Sequence, residues 1–235
     1  MAVSWPTFRP DHVPKHEWML ITRYFVLIHI PRTGGNFIRD VCFAHLPRNW
    51  LIRNALNLHT PYEEIADDFS DLPMLCFVRN PWDWYVSWYH HQTQHYREER
   101  SGPMWVSAFD RGRNDFRQTV VNCCVGENYE NPATKPIMQK LDVDHHTARF
   151  IQLTGSGIES GHIEVGKYER LREDFLDYLE RHDVPVSRAF AERVSTEPPK
   201  HTTKRAPYRE YYDDELRDLV AQKARLMIDR YGYEF

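Results

Sequence analysis

At 235 residues the chain can bury one substantial core. Its 30 Lys and Arg stand against 34 Asp and Glu, a formal net charge of -4, which excludes an overall basic field for nucleic acid or an anionic membrane, so any anion site must be local. No apolar run is long enough to span a bilayer, the start lacks a charged segment followed by an apolar secretory core, and four cysteines without a CxxC pair or disulfide framework point to a reducing, cytoplasmic setting.

Residues 1–23 carry Pro and Trp and read as an irregular lead-in ahead of one domain over 24–235. Residues 24–30, YFVLIHI, form a short β-branched and aromatic run, the pattern of a strand covered on both faces. Pro31 ends it, and Thr33, Gly34, Gly35 and Asn36 supply a turn that can present its amides. Phe37, Ile38 and Val41 follow at helical spacing, so the unpaired N–H groups of a first helical turn converge with the loop amides on one point, where a phosphate fits. The cation comes first, as Arg32, and the Lys and magnesium-binding hydroxyl of GxxxxGK[ST] are absent. The competing account is a tight turn whose glycines serve packing alone.

Farther on, Thr60, Pro61 and Glu63 have the pattern of a capping box and predict a helix start, with His59 just ahead of it at a loop edge. On local grounds alone the better reading of His59 is an ordinary solvent-facing imidazole. Residues 74–78 are a second apolar run that ends in Arg79, Asn80 and Pro81, which predicts a strand feeding a helix capped by Asn80. Ser87 lies two turns past Asn80 on the same face, so Arg79 and Ser87 can grip one anion; alternatively Arg79 pairs with Asp83 and Ser87 relieves crowding among Trp82, Trp84, Tyr85, Trp88 and Tyr89. Those aromatics either stack on an acceptor or form core.

Residues 97–114 are charged and irregular and read as a loop-and-helix cover over the acceptor side. His91 and His95 have helical metal-pair spacing but no third ligand, and Asp142, Asp144, His145 and His146 read as a polar turn and helix start rather than a metal box. Residues 163–165 predict a strand leading to Tyr168. Residues 198–207 are a Pro-flanked basic loop with Lys204 and Arg205, and the last helix, capped by Asp213 and Asp214, puts Leu216, Leu219, Val220, Met227 and Ile228 on one stripe.

HIPRTGGNF and FVRNPWDWYVSWY, in this order on two strand-to-helix junctions, resemble the sulfotransferases that use 3′-phosphoadenosine 5′-phosphosulfate (PAPS). The likeness is greatest to carbohydrate-type and bacterial members. It continues through VGKYERLREDF and YREYYDDELRDLV to the terminal YGYEF and covers most of the chain from residue 24. The resemblance implies an α/β fold of P-loop-NTPase-like type, with a central parallel sheet flanked by helices and the ligand at the strand C-terminal ends. It also implies that Arg32 and the amides of Thr33, Gly34, Gly35, Asn36 and Phe37 bind the 5′-phosphosulfate, that Arg79 and Ser87 hold the 3′-phosphate, and that Tyr168 lies near the adenine. Lys204 and Arg205 would add phosphate contacts, His59 would act as the base, the acceptor would be a carbohydrate or other small alcohol or phenol, and PAP would be the product without a metal. Arg32 stands where the family has Lys; Arg keeps the charge but does not readily release a proton, so leaving-group stabilisation becomes electrostatic. A catalytically silent PAP-binding module and a small-molecule kinase are the alternatives. The sequence does not read the oligomeric state.

Overall fold

The computed structural model describes residues 18–52, 54, 56–65, 69–95, 102–127, 129–199 and 204–235. The apolar runs become strands: β1 (Leu20–Ile21), β2 (Val26–Leu27), β3 (Met74–Val78) and β4 (Ile163–Lys167) form one sheet in that order. β2, β3 and β4 run parallel, with Val26 opposite Met74 and Met74 opposite Ile163. The architecture is α/β with a mostly parallel sheet, as the alternation of apolar runs and helical patterns predicts. The run at 24–30 pairs over less of its length than expected, two residues by ladder, although the Ile28 amide also reaches the Leu75 carbonyl at 2.9 Å.

β1 corrects the expectation of an irregular lead-in for its last residues. It pairs antiparallel with β2, Leu20 opposite Leu27 and Ile21 opposite Val26. The turn between them is closed by Thr22, whose hydroxyl donates to the Phe25 carbonyl at 3.0 Å and accepts from the amides of Tyr24 and Phe25. A two-residue strand is too short for alternation to appear in the sequence.

The chain divides into two compact units, Met1–Val78 with Leu153–His201, and Arg79–Gln152 with Thr202–Phe235. In the first, one row of sheet side chains, Leu20, Leu27, Leu75 and Phe77, packs against α1 (Gly35–His45), α7 (Leu171–Arg181) and α8 (Arg188–Thr196). Burying so large an apolar cluster is the dominant favourable term for this unit. Gly166 on β4 admits the ring of Phe77, whose Cε1 would lie 2.6 Å from an added Cβ.

The second unit holds α2 (Pro81–His95), α3 (Pro103–Phe109), α4 (Phe116–Val125), α5 (Lys135–Leu141), most of α6 (His145–Thr154), α9 (Asp214–Lys223) and α10 (Arg225–Tyr231). α3 supplies the helix of the loop-and-helix cover expected there; residues 97–101 lie outside the described residues. Trp82, Trp84, Tyr85 and Trp88 are buried core, with Trp84 stacked on Trp88 at 5.3 Å between centroids. The expected single C-terminal helix is two. The Lys223 carbonyl accepts from the Asp144 amide at 3.2 Å, and the Met227 amide turns to Ala224 instead. Leu216, Val220 and Met227 are buried as the stripe requires. No described helix is long and apolar enough to cross a membrane.

At the start of α6, Asp144 accepts from the Thr147 amide at 2.9 Å, the expected cap, and takes the Tyr85 hydroxyl on its other oxygen at 2.9 Å. His145 meets the Tyr129 hydroxyl at 2.8 Å, whereas His146 stacks on Trp84 at 4.4 Å with both ring nitrogens buried and unpartnered. Burial pushes both imidazoles down to about 3, helped at His145 by Arg149 and at His146 by His145 and Arg79. A histidine lowered in the folded state binds protons more readily when unfolded, so stability present above the ordinary imidazole range is lost as pH falls below it, until the folded value is reached. Each should cost on the order of 2 kcal/mol between pH 6.5 and pH 5. Denaturant unfolding at several pH values checks this: His146→Phe, which keeps a ring on Trp84 but does not titrate, should flatten the acid slope, and a slope equal to wild type would refute the assignment.

Candidate functional site

The loop after β2 is built by backbone conformation. Arg32 (φ 65) and Gly34 (φ 88) are both left-handed, and Gly34 occupies the cap position of α1 without a side-chain cap. A left-handed arginine is sparsely populated and is the kind of local strain that collects at ligand loops. The start of α1 thus has no side-chain cap and follows Arg32 closely in the chain, and a dipole-positive helix end of this kind suits an anion. The Thr33 hydroxyl donates to the Ile30 carbonyl at 2.9 Å and is buried. The Asn36 side chain accepts from Arg39 at 3.0 Å. Phe37 donates its amide to the Gly34 carbonyl at 2.9 Å and sends its ring into the core.

The two glycines also have packing roles. A Cβ on Gly34 would lie 2.5 Å from Leu171 Cδ2 and 3.2 Å from the Tyr168 ring, and one on Gly35 would lie 2.8 Å from His29 Nε2. The loop therefore carries Tyr168 against one glycine and His29 against the next. The contact with His29 has no local signal, since no short-range rule orients a strand-end imidazole.

His59 is half-buried, and its Nδ1 sits 3.1 Å from the His29 carbonyl oxygen and 3.3 Å from His29 Nδ1. What fixes its backbone differs from the expected capping box. The Asn57 side chain accepts the His59 amide at 2.8 Å, and the Thr60 hydroxyl donates to the Asn57 carbonyl at 2.9 Å. Only a single 3-10 turn, Tyr62–Glu64, follows, because the Glu63 carboxylate that would close the box accepts the Ser156 amide at 2.8 Å instead.

In the second unit Asn80 caps α2 as expected, taking the Trp82 amide at 3.1 Å, with Pro81 at the first helical position. Arg79 is buried and donates from Nε (2.8 Å) and Nη2 (2.6 Å) to one oxygen of Asp83. Arg205 donates to the other oxygen at 2.6 Å. One carboxylate thus orients two guanidiniums, and the cluster keeps a net charge of +1. Ser87 is buried on α2 one turn beyond Asp83. The two residues of the basic loop part company: Arg205 joins the cluster, and Lys204 is exposed.

No family model and no curated protein matches the chain by sequence. Among solved structures, mouse sulfotransferase SULT7A1 complexed with PAP is similar over 89% of this chain and 87% of its own, at 15% identity and a TM-score of 0.45. Agreement at that level does not decide between fold families, and the roles of these residues rest on their own geometry.

Proposed function

We propose that the protein is a sulfotransferase that moves a sulfuryl group from PAPS to the hydroxyl of a carbohydrate or other small alcohol or phenol, with PAP as the product. The observation that carries this is the tie between His59 and the end of the strand leading into the Arg32 loop: a candidate base is fixed to the segment that also presents a candidate anion site. Within the first unit, Arg32 and the amides of Thr33, Gly34, Gly35 and Asn36, with Tyr168 beside the loop, suit the 5′-phosphosulfate and the base; within the second, Arg79, Ser87 and Arg205 suit a 3′-phosphate, and Lys204 is an exposed cation of the same loop as Arg205. The loop lacks the Lys of GxxxxGK[ST], which argues against a kinase.

PAPS, when bound, supplies a sulfuryl group activated by its link to phosphate. His59 Nε2 takes the proton of the acceptor hydroxyl as the new O–S bond forms and the bond from sulfur to the phosphate oxygen breaks. Arg32 and the loop amides hold the charge left on that phosphate, and do so electrostatically because a guanidinium keeps its protons.

Calorimetry with PAP and a PAPS-dependent labelling assay over sugars, lipids and phenols test the reading. PAP should bind in the absence of magnesium, and Arg32→Ala should lower both affinity and turnover, since this cation meets the ligand in the ground state and in the transition state. Arg32→Lys should retain activity or raise it. A wild-type protein that ignores PAP but binds ATP with magnesium would sink the proposal.

A further inference from the structure

We infer that His29 is a positioning residue for His59: its carbonyl and its ring together hold the His59 imidazole in the one tautomer that leaves Nε2 as the base. This rests on the reading of His59 as the base. A carbonyl oxygen only accepts hydrogen bonds, so the His59 Nδ1 that lies 3.1 Å from the His29 carbonyl must carry the hydrogen. In neutral imidazole the lone pair is then on Nε2. His29 Nδ1 lies 3.3 Å from the same nitrogen, and with the hydrogen already on His59 it can only be the acceptor of a second branch. Two protonated Nδ1 atoms would set their hydrogens against each other. His29 is therefore neutral, with its own proton on Nε2.

The placement of His29 is over-determined. Its side chain is buried, its ring lies 4.9 Å from that of His59 at a tilt of 34°, and its other edge lies against Gly35, where no side chain fits. When His59 takes a proton on Nε2, its Nδ1–H becomes a charge-assisted donor, and both acceptors on His29 strengthen their hold on the imidazolium. The transferred proton sits on His59 Nε2, while the Nδ1–H keeps facing the His29 carbonyl and ring nitrogen. His29, buried and turned toward its partner, thus serves the reaction through His59 and not as a base of its own.

Nitrogen-resolved NMR of the wild-type protein reads the pair without any turnover: His59 should be protonated at Nδ1 and His29 at Nε2, and the reverse assignment at either ring would overturn the inference. In kinetics, His29→Leu keeps the backbone carbonyl and removes the ring acceptor; kcat should fall about tenfold to a hundredfold, the range that partners of a functional imidazole carry, with PAP affinity and acceptor KM little changed. His29→Asn, whose Oδ1 can stand where Nδ1 stood, should recover most of the loss. A fall in PAP affinity equal to the fall in kcat, or no recovery with Asn, would make His29 merely structural. If the leucine variant does not fold, the asparagine variant and the wild-type spectrum decide. A fully active His59→Ala protein with the expected tautomers would instead overturn the base assignment and leave the pairing intact.

Discussion

Replacing His59 with alanine should lower turnover by about 10²- to 10⁴-fold, the usual cost of removing a general base, while PAP affinity stays nearly intact. The separation follows from the geometry. His59 is bonded to the His29 carbonyl just beyond β2 and to Asn57, and its proposed work is on the acceptor hydroxyl, so its removal leaves the candidate nucleotide contacts in place. The wild-type rate should also fall as pH drops through the imidazole range, since a protonated Nε2 cannot accept the acceptor proton, and this limb should vanish in the alanine variant. Asn57→Ala should reproduce a small part of the loss by freeing the His59 amide. Turnover unchanged in His59→Ala, with an unchanged pH profile, would move the search to His29 and then to His91.

The parts of this site that were legible in the sequence are those governed by local rules. The β-branched run before Pro31, the glycines after Arg32 and the Asn80–Pro81 helix start each act within a few residues, and the structure has a strand, a left-handed loop and a capped helix at those places. Where a pattern had a distant competitor it misled. Thr60, Pro61 and Glu63 satisfy the capping-box spacing, yet the Glu63 carboxylate accepts the amide of Ser156, far along the chain. The C-terminal stripe fits one helix, and a single bond from the Asp144 amide to Lys223 divides it. The pairings that give the candidate site its chemistry, His29 with His59 and Asp83 with Arg205, join residues far apart in the chain, where periodicity and capping rules carry no information. Sequence could name these residues as candidates; only the fold could say that the proposed base has a partner and that one carboxylate serves two arginines.

The second large effect concerns that carboxylate. Arg79→Ala should weaken PAP by about a hundredfold or more, because it removes a charge-assisted phosphate contact and also strips Asp83 of the partner that holds one of its oxygens. With only Arg205 left, the cluster falls from a net charge of +1 to zero, and the half-buried Asp83 then repels the phosphate it formerly helped to receive. Arg79→Lys should be a poor substitute, since an ammonium cannot bring two N–H groups in a fixed fork to one oxygen while presenting others to a ligand. Adding Asp83→Asn to Arg79→Ala should restore part of the affinity by removing that repulsion, whereas Asp83→Asn alone should weaken PAP by letting both guanidiniums lose their orientation. The control is adenosine 5′-monophosphate, which lacks the 3′-phosphate: calorimetry should show Arg79→Ala costing it far less than PAP. Equal losses for the two ligands would mean that Arg79 supports α2 through Asp83 and reads no phosphate at all.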